Sequence, residues 1–68
     1  MKVLDTVALR RDLPDAGLPE GLVGVVVEEW RPGVFEVEFA DLNGRAYAFA
    51  AVAAEDLLLL HHSLSEAA

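Results

Sequence analysis

The sequence predicts an all-β fold, a small and partly open barrel of five antiparallel strands with one short helical turn before the last strand. Several short runs are rich in valine or alternate between apolar and polar residues, as β-strands do. Glycine and proline interrupt the chain at short intervals, which is typical of tight turns between strands. One long early loop and several tight turns favour a meander that curls to cover its own core.

Each element has its own sequence signal. The run at residues 22–29 is the most valine-rich, and residues 34–40 alternate with a period of two. Pro14, Gly17 and Pro19 place a loop between the first two strands. The predicted strands are residues 4–9, 22–29, 34–40, 45–52 and 57–60, with a loop at residues 10–20 and the helical turn at residues 53–56.

The chain is predicted to hold one domain. Residues 1–60 form the barrel, and residues 61–68 form a polar C-terminal tail that contains His61 and His62. Residues 46–60 are rich enough in alanine and leucine to form a helix on propensity alone. We reject that helix because Asn43-Gly44 after an alternating strand predicts a hairpin, and a lone hairpin would lack a third strand.

Turn geometry predicts which side chains face the core. A three-residue loop at residues 31–33 pairs Glu28 with Glu36. A bulged type I turn with Gly44 in the left-handed position pairs Phe39 with Tyr47 and keeps the aromatic residues inside. The predicted inward face is Val25, Val27, Phe35, Val37, Phe39, Tyr47 and Phe49.

The same register predicts a flat outer face that is acidic along its middle and apolar at its edges. Trp30 lies on this face at a hairpin tip, and tryptophan is enriched among the residues that dominate protein interfaces. An alternative is that Trp30 covers the open end of the barrel and that the face is merely solvated. The predicted partner-binding residues are Trp30, Val34, Glu28, Glu36, Glu38, Ala46, Ala48 and Ala50.

Composition excludes several function classes. Five Lys and Arg residues against 12 Asp and Glu residues give a net charge of −7, the wrong sign for binding nucleic acid or an anionic membrane. A basic partner protein would be attracted to such a chain.

The chain has no cysteine, no phosphate-loop motif and no calcium-loop spacing, so we expect no metal and no cofactor. Carboxylates on an exposed sheet face lack the burial that acid–base catalysis needs, so we predict no enzymatic activity.

Several segments together resemble a bacterial family. They are Asp5-x-Val7-x-Leu9, Asp12-Leu13-Pro14, Gly21-x-x-Gly24-x-Val26-Val27, Pro32-Gly33-x-Phe35-x-Val37-x-Phe39 and Asp41-x-x-Gly44. The pattern is similar to the family named domain of unknown function 4926, from about Val3 to Leu60. The resemblance implies an SH3-like, or KOW-like, barrel and brings no catalytic residue. Such small proteins look like the lesser partner of a two-gene pair, as antitoxins and immunity proteins often are.

The functional prediction follows from these points. We expect a non-enzymatic, cytoplasmic protein-interaction module, either the small partner of a two-protein system or a self-associating accessory subunit. The alternative is a KOW-like module associated with nucleic acid or the ribosome. Only Arg10, Arg11, Arg31 and Arg45 would be available to build the basic patch that this alternative needs.

Overall fold

The computed structural model describes the backbone of residues 1–40 and 46–60, and the side chains of residues 1–40 and 48–60. Five antiparallel strands form one open sheet in the order β4-β3-β2-β1-β5. This arrangement confirms the predicted fold class. The strands are β1 (Thr6–Leu9), β2 (Val23–Arg31), β3 (Val34–Ala40), β4 (Ala46–Ala53) and β5 (Leu57–Leu59), and 3₁₀ turns lie at Pro14–Ala16 and Ala54–Asp56.

The chain forms strands at all five predicted positions, including the alanine-rich segment. β4 occupies most of the segment that helix propensity alone would make helical, because pairing with β3 gives its backbone hydrogen-bond partners. The 3₁₀ turn Ala54–Asp56 lies where the helical turn was predicted and begins one residue later. The predicted tail at residues 61–68 and the predicted turn around Gly44 lie outside the described residues.

The loop between β1 and β2 closes one side of the core. Leu13 and Leu18 exchange two backbone hydrogen bonds, of 2.7 and 3.1 Å, which fold the loop back on itself. This places the Leu18 side chain in the core with 3% of its surface exposed, and Leu13 packs against the same cluster. The core cluster is Val7, Leu9, Leu18, Val26, Phe35, Val37, Phe39, Val52 and Leu57.

The predicted register of the first hairpin holds only locally. Glu28 pairs with Glu36 as predicted, but Val26 pairs with Val37, so Val27 is an extra residue in a β-bulge. A bulge reverses the faces of all residues that precede it, and Val26 is therefore fully buried. The prediction that Val25 and Val27 form the core was wrong, since both are only partly buried. The loop is also shorter than predicted, because Arg31 pairs with Val34.

The second hairpin shows the same effect. Ala40 pairs with Ala46, which is the predicted register, but Phe39 then pairs with Ala48, so the register shifts by one residue. Phe49 therefore faces away from the core with 58% of its surface exposed, contrary to prediction. Phe35, Val37 and Phe39 are buried as predicted, and the side chain of Tyr47 lies outside the described residues.

Gly24 is required by the close approach of β2 to β3. A Cβ atom at this position would lie 2.7 Å from the Glu38 carbonyl oxygen and 2.8 Å from Cδ1 of Phe39. Such distances are shorter than van der Waals contact, so only glycine fits here without displacing the neighbouring strand. Gly24 is thus explained by the close packing of the two strands rather than by a turn.

Candidate functional site

The candidate site is the outer face of the sheet, the side opposite the core cluster. Residues paired across antiparallel strands share a face, so Val25, Glu38 and Phe49 form one row across β2, β3 and β4. Glu28, Glu36 and Ala51 form the next row. We call the surface made by Val25, Glu28, Trp30, Val34, Glu36, Glu38 and Phe49 the acidic–apolar face.

Trp30 stands on this face at a second bulge in β2. Glu29 pairs with Phe35 and Arg31 pairs with Val34, which leaves Trp30 as the extra residue. Its indole Nε1 donates a hydrogen bond of 2.9 Å to Oε1 of Glu36. The ring is nonetheless 57% exposed, so a large apolar surface is held in a fixed position beside a carboxylate.

None of the carboxylates of this face forms an ion pair within the described part of the chain. Glu28 lies directly opposite Glu36, a cross-strand pair of like charges that is unfavourable for the isolated sheet. The ion pairs among residues 1–40 and 48–60 join Lys2 to Asp5 and Arg11 to Asp56, both away from this face. The face therefore combines carboxylates that form no ion pair among the described residues with exposed aromatic surface.

The structure brings together most, but not all, of the predicted binding residues. Trp30, Glu28, Glu36 and Glu38 share the acidic–apolar face, and Val34 lies on it at the end of the hairpin, opposite Ala53. These five residues lie on the outer face of the sheet, as the sequence predicted.

The predicted alanine row does not belong to this face. Ala48 and Ala50 pair with Phe39 and Val37 and pack against the core cluster, because the register shift near Ala46 turns them inward. The backbone of Ala46 lies opposite Ala40, and its side chain is outside the described residues. Phe49 takes the place of the alanines on the outer face. No sequence signal marks the irregularity that exposes it.

A further apolar row extends the outer side of the sheet beyond the acidic–apolar face. Ala8 pairs with Val23 on one side and with Leu58 on the other. Ala8 is 8% exposed, whereas Val23 and Leu58 are 48% and 47% exposed. The outer side is thus apolar near β5 and acidic near the middle of β3.

The arginines do not gather into a basic patch within the described residues. The Nε atom of Arg11 lies 3.0 Å from Oδ1 of Asp56, and this hydrogen bond and charge raise the pKa of the guanidinium. Arg31 lies at the end of β2, and Arg45 is outside the described residues. Because Arg11 already pairs with Asp56, its charge is partly neutralised and would contribute less to binding nucleic acid.

The described residues were compared with the features that metal sites and membrane spans require. Residues 1–40 and 48–60 include no buried polar or charged side chain, and no group of three metal-ligating side chains occurs among them. The helical segments in this part of the chain are single 3₁₀ turns, far too short to cross a bilayer.

Comparison with known proteins gives one result. The model of the family described as domain of unknown function (DUF4926) matches residues 3–59. No curated protein and no solved structure matches the chain.

Proposed function

We propose that this chain, which belongs to the DUF4926 family, is a non-enzymatic acidic module that binds a basic partner protein through its acidic–apolar face. The observation that carries the proposal is the arrangement around Trp30. Its exposed ring is fixed by Glu36, and Glu36 in turn faces the like charge of Glu28.

This arrangement suits the side chain of an arginine or a lysine on the partner. A cation above the Trp30 ring gains a cation–π interaction, and the neighbouring carboxylates offer it charge-assisted hydrogen bonds. Binding would also remove the repulsion between Glu28 and Glu36, so the face gains more from a cation than an ordinary pair of exposed carboxylates does. Phe49 and Val25 then supply apolar contact beside the charged centre.

The net charge of −7 supports the same choice of partner. A strongly acidic chain attracts a basic one over long range and repels nucleic acid. A small acidic protein with an exposed acidic–apolar face fits the smaller member of a two-protein pair in the cytoplasm, of the antitoxin or immunity type. In such a pair the chain acts by occupying the basic surface of its partner.

The test is to purify the untagged chain from its native cells, identify the protein that accompanies it, and titrate the purified pair by calorimetry. We expect a basic partner. Trp30→Ala should weaken binding by about 30-fold or more, as expected for a central interface residue. Glu36→Gln combined with Glu38→Gln should slow association and reduce the dependence of binding on salt.

The matched control is Asp15→Asn, which removes one exposed carboxylate from the loop instead of from the acidic–apolar face. Its affinity should stay close to that of the unchanged chain. If the chain purifies without a partner, or if Trp30→Ala binds the partner as tightly as the unchanged chain does, the proposal is wrong.

A further inference from the structure

We infer that the acidic–apolar face selects arginine over lysine on its partner, because a guanidinium group stacks on the ring of Trp30 and donates hydrogen bonds to Glu36 and Glu28. This inference rests on the proposed function and deepens it, since it names the group that the basic partner presents. Arginine and lysine carry the same charge, so the choice between them depends on the shape and the hydration of the cation.

The hydrogen bond of Trp30 leaves the faces of its ring clear of Glu36. An indole N–H lies in the plane of the ring, so Oε1 of Glu36, which is 2.9 Å from Nε1, lies beside the edge of the ring rather than over it. The residue is 57% exposed although this bond holds it. A planar guanidinium gains both cation–π attraction and stacking contact on such a ring, whereas an ammonium group has no plane to stack.

The carboxylates beside the ring suit a cation with several N–H groups in one plane. Oε1 of Glu36 accepts the indole N–H, which leaves Oε2 for a second donor. Glu28 lies directly opposite Glu36, so one group can reach both carboxylates. A guanidinium has five N–H donors in a fixed plane, and it therefore bonds to carboxylates along its edge while its face lies on the ring.

The partial burial of Glu36 favours the same cation. Glu36 is partly buried, whereas Glu28 is exposed. A cation that binds Glu36 gives up part of its own water, and a guanidinium is more weakly hydrated than an ammonium. The carboxylates of the face form no ion pair within residues 1–40 and 48–60, so the arriving arginine breaks no ion pair of this part of the chain.

The test uses the single tryptophan of the chain as its reporter. Its indole N–H gives one resonance in a proton–nitrogen correlation spectrum, and the group that produces it is the one bonded to Glu36. Three blocked tripeptides are titrated to about 50 mM at low salt, because a single side chain binds weakly. They carry arginine, lysine or citrulline between two glycines, and citrulline is planar like arginine but uncharged.

We expect the arginine peptide to move the indole resonance and to bind about threefold or more tightly than the lysine peptide, because only arginine adds stacking to the charge. The citrulline peptide should bind more weakly than the arginine peptide. Glu36→Gln keeps an oxygen for the indole bond but removes the charge, so it should weaken the arginine peptide most. Glu29→Gln is the matched control, because Glu29 lies opposite the buried Phe35 on the other side of the sheet and should leave the preference unchanged.

A lysine peptide that binds as tightly as the arginine peptide would overturn the inference. A citrulline peptide that does so would overturn it as well, and so would an indole resonance that no peptide moves up to about 50 mM. The proposed function is judged separately, by calorimetry on the purified pair and by Trp30→Ala. If that pair forms and the peptides show no preference, the partner is basic and only the selection of arginine is wrong.

Discussion

The indole Nε1 of Trp30 donates a 2.9 Å hydrogen bond to Glu36, which itself lies opposite Glu28. Glu36 therefore both orients the tryptophan ring and carries the charge that repels Glu28. Substitutions at Trp30 and Glu36 separate these two effects.

For the isolated chain, we expect Glu36→Gln to raise the free energy of unfolding by about 0.2–1 kcal/mol, because it removes the charge opposite Glu28. The glutamine oxygen still accepts the indole hydrogen bond. Trp30→Phe should change stability by no more than about 0.5 kcal/mol, since the ring is largely exposed. Urea unfolding followed by circular dichroism measures both. Glu29→Gln is the control, because Glu29 lies opposite Phe35, and a gain of equal size there would show that the Glu28–Glu36 pair is not the cause.

Gly24→Ala should lower the free energy of unfolding by about 1–3 kcal/mol, the usual cost of adding a group to a space that is already filled. The added Cβ meets the backbone of Glu38, which cannot move without disturbing the pairing of β2 with β3. Val23→Ala, one residue earlier on an exposed side chain, should cost less. Chemical denaturation of both variants measures their free energies of unfolding, and equal losses would argue against the close approach at Gly24.

Leu4→Gly should stabilise the fold by up to about 1 kcal/mol. Leu4 has a φ of 78°, in the left-handed region that costs a branched side chain about 1–2 kcal/mol, and it is 76% exposed. Its amide nitrogen is held 2.7 Å from the Val26 carbonyl oxygen, which fixes this conformation. Val3→Gly should instead destabilise, because Val3 does not have a positive φ. Thermal unfolding of the two variants gives the comparison, and a lower melting temperature for Leu4→Gly would contradict the expectation.

The pH dependence of stability should show a contribution from Asp5. The hydrogen bond from the Lys2 backbone N–H, with the ion pair to the same residue, lowers the pKa of Asp5 from its ordinary 3.8. Because the pKa is lower in the folded chain, this stabilisation is present above pH 3.8 and is lost as the pH falls through the folded value.

Asp5→Asn should therefore be less stable than the unchanged chain at neutral pH and should lose less stability on acidification. Urea unfolding at a series of pH values from neutral to acid measures this. Asp15→Asn serves as the control at an exposed carboxylate. A pH profile for Asp5→Asn that parallels the unchanged chain would rule out this role for Asp5.

The positions of the strands could be predicted because their signals are local. Valine-rich runs, an alternating strand and turn residues each act over a few positions, and they placed every strand to within about two residues. Glu28, Glu36, Glu38 and Trp30 could be assigned to the outer face for the same reason, since they lie close to the hairpin whose register was predicted.

Phe49, Ala48 and Ala50 could not be assigned correctly, because their faces depend on a register shift near Ala40 and Ala46. The extra residue there leaves no mark on the apolar–polar pattern, because residues 46–50 are all alanine or aromatic. It is set by how β4 packs across the core, which is a tertiary effect. The same reasoning applies to Val26, whose burial depends on the extra residue at Val27.

The two bulges of β2 divide that strand into segments of opposite parity. Upstream of Val27 the even-numbered residues Gly24 and Val26 face the core, whereas just downstream the even-numbered Glu28 faces outward. Deleting one residue at Val27 would therefore turn the buried side chains of β2 before this position outward and the exposed ones inward. Length at this position is as much a part of the fold's specification as the identity of any side chain.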